Sequence, residues 1–193
     1  MADCKFRKDY YLESDSRILI ANCIESPLPI ALTVKHQCNS GSHRLMETKD
    51  FKKVFNEIAI KNGFQSIFGA WFKESDESVI ALILRKSNFS RLYYLRIKVN
   101  LKSAFGQVYE MDKEWVKHDI ADIMLGPSPE YVDLFDLEKD IKDNGRIENL
   151  SRLFSNEINS LTEKVLTREG IIELHKKGDL FLLPAVKQEL GLN

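Results

Sequence analysis

The sequence predicts an α+β fold, an antiparallel sheet of four or more strands packed against helices, with a helical C-terminal third. Three observations carry this. A one-sided helical pattern runs from Asp50 to Asn62, three strand-like runs follow it up to Leu101, and the last third repeats its apolar residues at steps of three and four. In the first helix Phe51, Val54, Phe55, Ile58 and Ala59 make one apolar stripe, while Lys52, Lys53, Glu57 and Lys61 take the other side. Gly63 then follows, where a helix closes on positive φ.

After Gly63 the period changes to two. Tyr93, Leu95, Ile97, Val99 and Leu101 are apolar, and Tyr94, Arg96, Lys98 and Asn100 between them are mostly polar, the signature of a half-buried strand. Val79 to Leu84 is apolar on both faces and reads as an inner strand. Ile67 to Lys73 supplies a third, and the short polar links at 74–78 and 86–91 suit antiparallel neighbours. Ala104 to Met111 is a candidate fourth strand, weakened by Gly106.

Glu114 to Leu125 reads as a short helix with Val116, Ile120, Ile123 and Met124 on one side, stopped by Gly126-Pro127-Ser128-Pro129. An acidic connector runs from Glu130 to Asp143. Ile147, Leu150, Phe154, Ile158, Leu161 and Val165 then mark an amphipathic helix of about five turns from the Gly145 boundary. Thr167 is placed to cap a further helix that ends at Gly178, and Pro184 to open a last one ending at Gly191.

The patterned core begins at Met46. Residues 1–45 are therefore assigned to an N-terminal extension, with two apolar runs, Ile18 to Ile24 and Pro29 to Val34, able to add a hairpin to the sheet, and residues 46–193 to a single α+β domain. Cys4, Cys23 and Cys38 are the only cysteines, an odd and sparse set that reads as free thiols in a reduced compartment rather than as a disulfide framework. Cys23, His36, Cys38 and His43 fit no compact zinc spacing, so no metal site is assigned. Net charge is −1, and no run approaches the roughly 18 apolar residues of a membrane span. The N-terminus carries acids and tyrosines where a signal peptide needs a basic start and an apolar run, so a cytoplasmic location and no membrane partner are expected.

The run Phe51-Lys-Lys-Val-Phe-Asn-Glu-Ile-Ala-Ile-Lys-Asn-Gly-Phe64, followed by Trp71-Phe72 and the paired strands, resembles a family of uncharacterised bacterial proteins known only as a domain of unknown function. Arg146-Ile-Glu-Asn-Leu150 and Ile172-Glu-Leu174 look like its helical C-terminus, so the resemblance spans about residues 46–191. It implies an α+β fold and a bacterial cytoplasmic source. It implies no activity, cofactor or site residue.

Charge segregation is the strongest functional signal. Between Val79 and Tyr109 there is no acid, yet Arg85, Lys86, Arg91, Arg96, Lys98 and Lys102 are present; the next segment, Glu110 to Asp143, is strongly acidic. Arg85, Arg91, Tyr94, Arg96 and Lys98 are therefore the predicted interaction face, with Arg96 and Lys98 projecting from the polar side of their strand. The competing reading is a face neutralised by the acidic connector. His118 and Asp122, four apart on the predicted helix, are the best acid–base pair, weighed against a surface histidine beside acids. His175, beside Lys176 and Lys177, answers a helix C-terminus, and Trp71 and Trp115 read as core. Helix then three strands is the order of some metal-dependent nucleases, but the two inner strands lack the carboxylates those enzymes use. No nucleophile elbow, phosphate-binding glycine loop, Cys-x-x-Cys or His-Glu-x-x-His appears. The expectation is a non-enzymatic, cofactor-free interaction or regulatory module that binds a protein partner, with toxin neutralisation as one form of it. The alternative is a nucleic-acid binder or hydrolase using the basic face, disfavoured by the absence of net positive charge. The oligomeric state is left open.

Overall fold

The computed structural model describes residues 45–108, 112–118 and 121–192. The N-terminal readings, including Cys4, Cys23, Cys38, His36, His43 and the two apolar runs, lie outside the described residues. The expected α+β fold is observed: helices pack on an antiparallel sheet and fill the C-terminal third.

Helix α1 (Thr48–Lys61) buries Phe51, Phe55, Ile58 and Ala59, the predicted stripe, and Gly63 follows at φ 83°. The predicted strand Ile67 to Lys73 is split. Strands β1 (Gln65–Ile67) and β2 (Ala70–Glu74) form a hairpin around Phe68 and Gly69, both at positive φ (52° and 78°), the backbone of a two-residue turn whose twist matches its strands. Strand β3 (Ser78–Lys86) is buried on both faces for most of its length, as its two-sided apolar run predicts, because β2 and β4 (Tyr93–Leu101) flank it and both sheet faces are covered. The candidate fourth strand breaks at Phe105-Gly106 into a small hairpin, β5 (Ser103–Ala104) and β6 (Gln107–Val108), by the same positive-φ geometry.

The predicted helix Glu114 to Leu125 is a correction. Only α2 (Lys113–Lys117) is helical; His118 is extended (φ −73°, ψ 145°), and Ile123–Leu125 forms β7, paired antiparallel to β4 with Lys98 opposite Met124. Ladder bonds to the open edge of β4 satisfy that backbone without a helix. The main sheet has the order β1-β2-β3-β4-β7.

The acidic connector holds a 3₁₀ turn (Pro129–Phe135) that buries Tyr131, Leu134 and Phe135. Helical geometry then runs from α3 (Asp143–Leu153) through one π turn (Phe154–Ile158) into α4 (Asn159–Val165). Ile147, placed on the apolar stripe by its spacing, is exposed, whereas Arg146 is fully buried; the core side is completed by Leu150, Leu153, Phe154, Ile158, Thr162 and Val165. Helix α5 (Arg168–Lys177) is capped as predicted by the Thr167 hydroxyl, which accepts from the Gly170 N–H, and α6 (Pro184–Glu189) starts on its proline.

One face of the sheet, with Trp71, Ile80, Leu82, Leu95, Ile97 and Val99, packs on α1 and the C-terminal helices. The other, with Ala70, Phe72, Val79, Ala81 and Ile83, is covered by Val116 and Trp115 of α2.

Gly170 makes a test of this packing. In a helix, glycine to alanine normally gains about 1 kcal/mol. Here a Cβ would lie 2.9 Å from the Lys164 Cα and closer still to its carbonyl group, inside any real contact. Gly170→Ala is therefore expected to lower stability by about 1–3 kcal/mol, the scale of overpacking. Urea titration reads the sign directly, and a gain would show that the α4–α5 corner relaxes freely.

Candidate functional site

The side of the sheet under α2 carries the charged residues of the β3–β4 hairpin. Strand alternation and register set Tyr94 opposite Arg85, Arg96 opposite Ile83 and Lys98 opposite Ala81, all on this side. What lies above each residue then decides its role.

Lys98 is a correction. It is 0% exposed, held beneath α2, where its ammonium donates to the carbonyl oxygens of Trp115 (2.8 Å) and His118 and sits 5.0 Å from the centre of the Trp115 ring. Arg85 reaches the same helix end, donating from Nη2 to Val116 O (3.0 Å) and to Lys117 O. Two cations thus satisfy carbonyls that a five-residue helix leaves open at its negative end. Asp112 caps the other end by accepting from Trp115 N (2.6 Å). Alternation alone put Lys98 in solvent; the cover on its face puts it inside.

Arg91 is also elsewhere. It lies before β4, donates to Met46 O (2.7 Å) and pairs with Glu47 at 3.7 Å, while its backbone N–H donates to Glu138 (3.0 Å), so it pins the start of α1 and the acidic connector to the hairpin loop.

The remaining three predicted residues, Arg85, Tyr94 and Arg96, converge. Together with Lys86, Phe89 and Lys117 they line an open pocket of about 370 Å³. Phe89 is 99% exposed at the loop tip and Tyr94 is 51% exposed, so two aromatic rings flank a cluster of cations. Lys117 also bonds Glu114 at 2.5 Å, and that hydrogen bond, followed by the charge behind it, holds the Glu114 carboxyl below its ordinary value. Lys86 stood in the basic run of the sequence, whereas Lys117 enters the pocket only because α2 folds over the sheet. Chemically the pocket offers guanidinium and ammonium donors for carboxylate or phosphate oxygens, and ring faces for an apolar or planar neighbour.

His118 and Asp122 do not form the helical pair that their spacing predicted. His118 lies at the end of α2, 4.0 Å from Glu114, and Asp122 turns into the sheet, accepting from Leu101 N at 2.8 Å. Burial pushes the Asp122 carboxyl above its ordinary value, against the lowering effect of the Leu101 hydrogen bond. His175 sits in the last turn of α5 with Nδ1 2.9 Å from Leu180 O. Trp71 is buried against Phe55, its indole N–H donating to Asn56 (2.9 Å), and Trp115 stacks near Phe72. Among the described residues no group of three or more His, Cys, Asp or Glu side chains is placed to hold a metal ion, and no helix is long and apolar enough to cross a membrane.

Fold and site together define an α+β protein with a basic, aromatic-flanked pocket at one end of its sheet. No protein-family model, curated protein or solved structure matches the chain.

Proposed function

We propose that this chain is a non-enzymatic interaction module of a bacterial cytoplasm, and that it binds an acidic segment of a protein partner in the pocket of Arg85, Lys86, Arg96 and Lys117. Neutralising a toxin is one task such a module performs. The observation that supports it is the convergence of these four cations, from β3, β4 and α2, beside the exposed Phe89 and Tyr94. Cations set on a rigid sheet steer an oppositely charged partner and fix its register. A compact anionic segment suits the site better than a long polyanion. The acidic stretch that begins near Glu130 is held to the same hairpin through Glu138, and the chain as a whole carries a net charge of −1.

The exposed Phe89 supports a second reading, stacking on a single-stranded nucleic acid. One experiment separates the two. Binding of a fluorescent hexaglutamate peptide and of an oligothymidylate is measured by anisotropy for the unmodified chain and for Lys86→Glu/Arg96→Glu. Lys98 is left untouched, because a reversal there would strike the core. Peptide binding that falls at least about tenfold in the double variant, a loss of about 1.4 kcal/mol, is the expected result. Salt-sensitive oligothymidylate binding without peptide binding would favour the second reading. Peptide binding unchanged by the double variant would remove the pocket from the proposal.

A further inference from the structure

The chain contains two Asn-Gly pairs, Asn62-Gly63 and Asn144-Gly145. Such a pair carries its own nucleophile: with no Cβ in the way, the glycine backbone nitrogen reaches the asparagine side-chain carbonyl carbon more readily than that of any other residue. Whether it reacts depends on what holds it. Asn62, at the end of α1, is held firmly. Its Nδ2 donates to Ile58 O and its Oδ1 accepts from Asn159 Nδ2 of α4, both at 2.8 Å, while the Gly63 N–H donates to Ile60 O at 2.9 Å. Three hydrogen bonds must break before this pair can react.

The second pair lies in the first turn of α3 and has no such restraint. Asn144 is exposed, and among the described residues its side-chain amide has no hydrogen-bond partner and the Gly145 N–H no acceptor. Lys142, at the N-cap, supplies no side-chain bond to the turn. Helical backbone holds the glycine nitrogen out of line with the amide, so reaction waits on opening of the turn. A first turn with orphan amides, no side-chain cap and an internal glycine opens more easily than the clamped end of α1. Space is no obstacle, since a Cβ built on Gly145 would meet nothing within 4 Å.

We infer that Asn144 is a site of spontaneous deamidation. The Gly145 nitrogen bonds to the Asn144 Cγ, the Cγ–Nδ2 bond breaks, and ammonia leaves with the proton that the backbone nitrogen gives up through solvent. Water then opens the resulting cyclic imide at either carbonyl. One opening gives aspartate, a negative charge suited to the positive end of α3. The other gives isoaspartate, which lengthens the main chain by a methylene two residues before Arg146. The buried Arg146 guanidinium, which donates to Leu134 O and Lys139 O, is thereby drawn off the connector.

The full chain, kept folded at mildly alkaline pH and physiological temperature, tests this by peptide mapping in a mass spectrometer. Asn144 should convert at least about tenfold faster than Asn62, the ratio given by about 1.4 kcal/mol of difference in opening free energy. In urea, where neither turn exists, the two rates should come together. Gly145→Ala, whose added methyl group has open space, should slow conversion of Asn144 at least about tenfold by crowding the attacking nitrogen. The isoaspartate form, separated by ion exchange, should lose amide protection at 129–135. Equal native rates, an Asn144 that reacts only in urea, or indifference to Gly145→Ala would each overturn the site, and an isoaspartate form with full protection at 129–135 would overturn its action on the connector.

Discussion

Phe55→Ala should cost the fold about 3–5 kcal/mol, the loss expected when a large buried aromatic side chain is cut back and its cavity collapses only in part. Phe55 is fully buried and stands where four elements meet. Its ring lies 4.7 Å from Trp71 of β2, 5.4 Å from Phe154 in the π turn, 6.3 Å from Phe135 of the 3₁₀ turn and 6.4 Å from Phe51 of its own helix. Each tilted or edge-on aromatic contact adds about 0.5–1.5 kcal/mol beyond area alone. Against a total stability of about 5–15 kcal/mol, the variant sits near the edge of folding. Equilibrium urea unfolding checks this: the midpoint should fall with the slope unchanged. A loss under about 1 kcal/mol would show that α1 does not present this face to the sheet.

Arg146→Met should cost about 2–4 kcal/mol, although methionine fills a similar volume with apolar atoms. Arg146 is fully buried at the start of α3 and its guanidinium donates to two backbone carbonyls of the connector, Leu134 O and Lys139 O (3.2 Å). Removing the donor leaves the buried Leu134 O without this partner, at about 1–3 kcal/mol before relaxation, while Lys139 O keeps the Ile141 N–H (2.8 Å) and loses only one of two bonds, at about 0.5–1.5 kcal/mol. Burial lowers the guanidinium's proton affinity while the nearby Asp136 and Asp143 raise it, and arginine's ordinary value is so high that the group stays charged. The local readout is hydrogen exchange, in which amides of the 3₁₀ turn should lose protection before those of β3 and β4. Uniform loss of protection across the sheet would mean that Arg146 supports the whole core rather than the connector.

Much of the fold was legible in the sequence because its signals are local. Phe51, Phe55, Ile58 and Ala59 recur with the helical period, so their burial follows once any core exists to receive them. Thr167, Gly178 and Pro184 mark helix ends through their own hydrogen bonding and dihedral preferences, and all three act where their chemistry placed them. The two-sided apolar run of β3 announced an inner strand for the same reason.

Tertiary structure decided what period alone leaves open. Tyr94, Arg96 and Lys98 share one side of β4, and alternation treats them alike. Only the seating of α2 over part of that side makes Lys98 a buried clamp on a helix end while Tyr94 and Arg96 remain at the pocket. Likewise Ile123-Met124-Leu125 fits a helix as well as a strand in isolation, and the open edge of β4, about 25 residues away in the chain, settles it. Ile147, expected on the apolar stripe, is exposed, and its neighbour Arg146 is buried instead, where its guanidinium donates to the connector's Leu134 carbonyl. Helical and strand periods are set by the backbone of neighbouring residues and can be read along the chain. Which polar group is desolvated depends on the partner that comes to cover it, and that partner arrives from a distant part of the sequence.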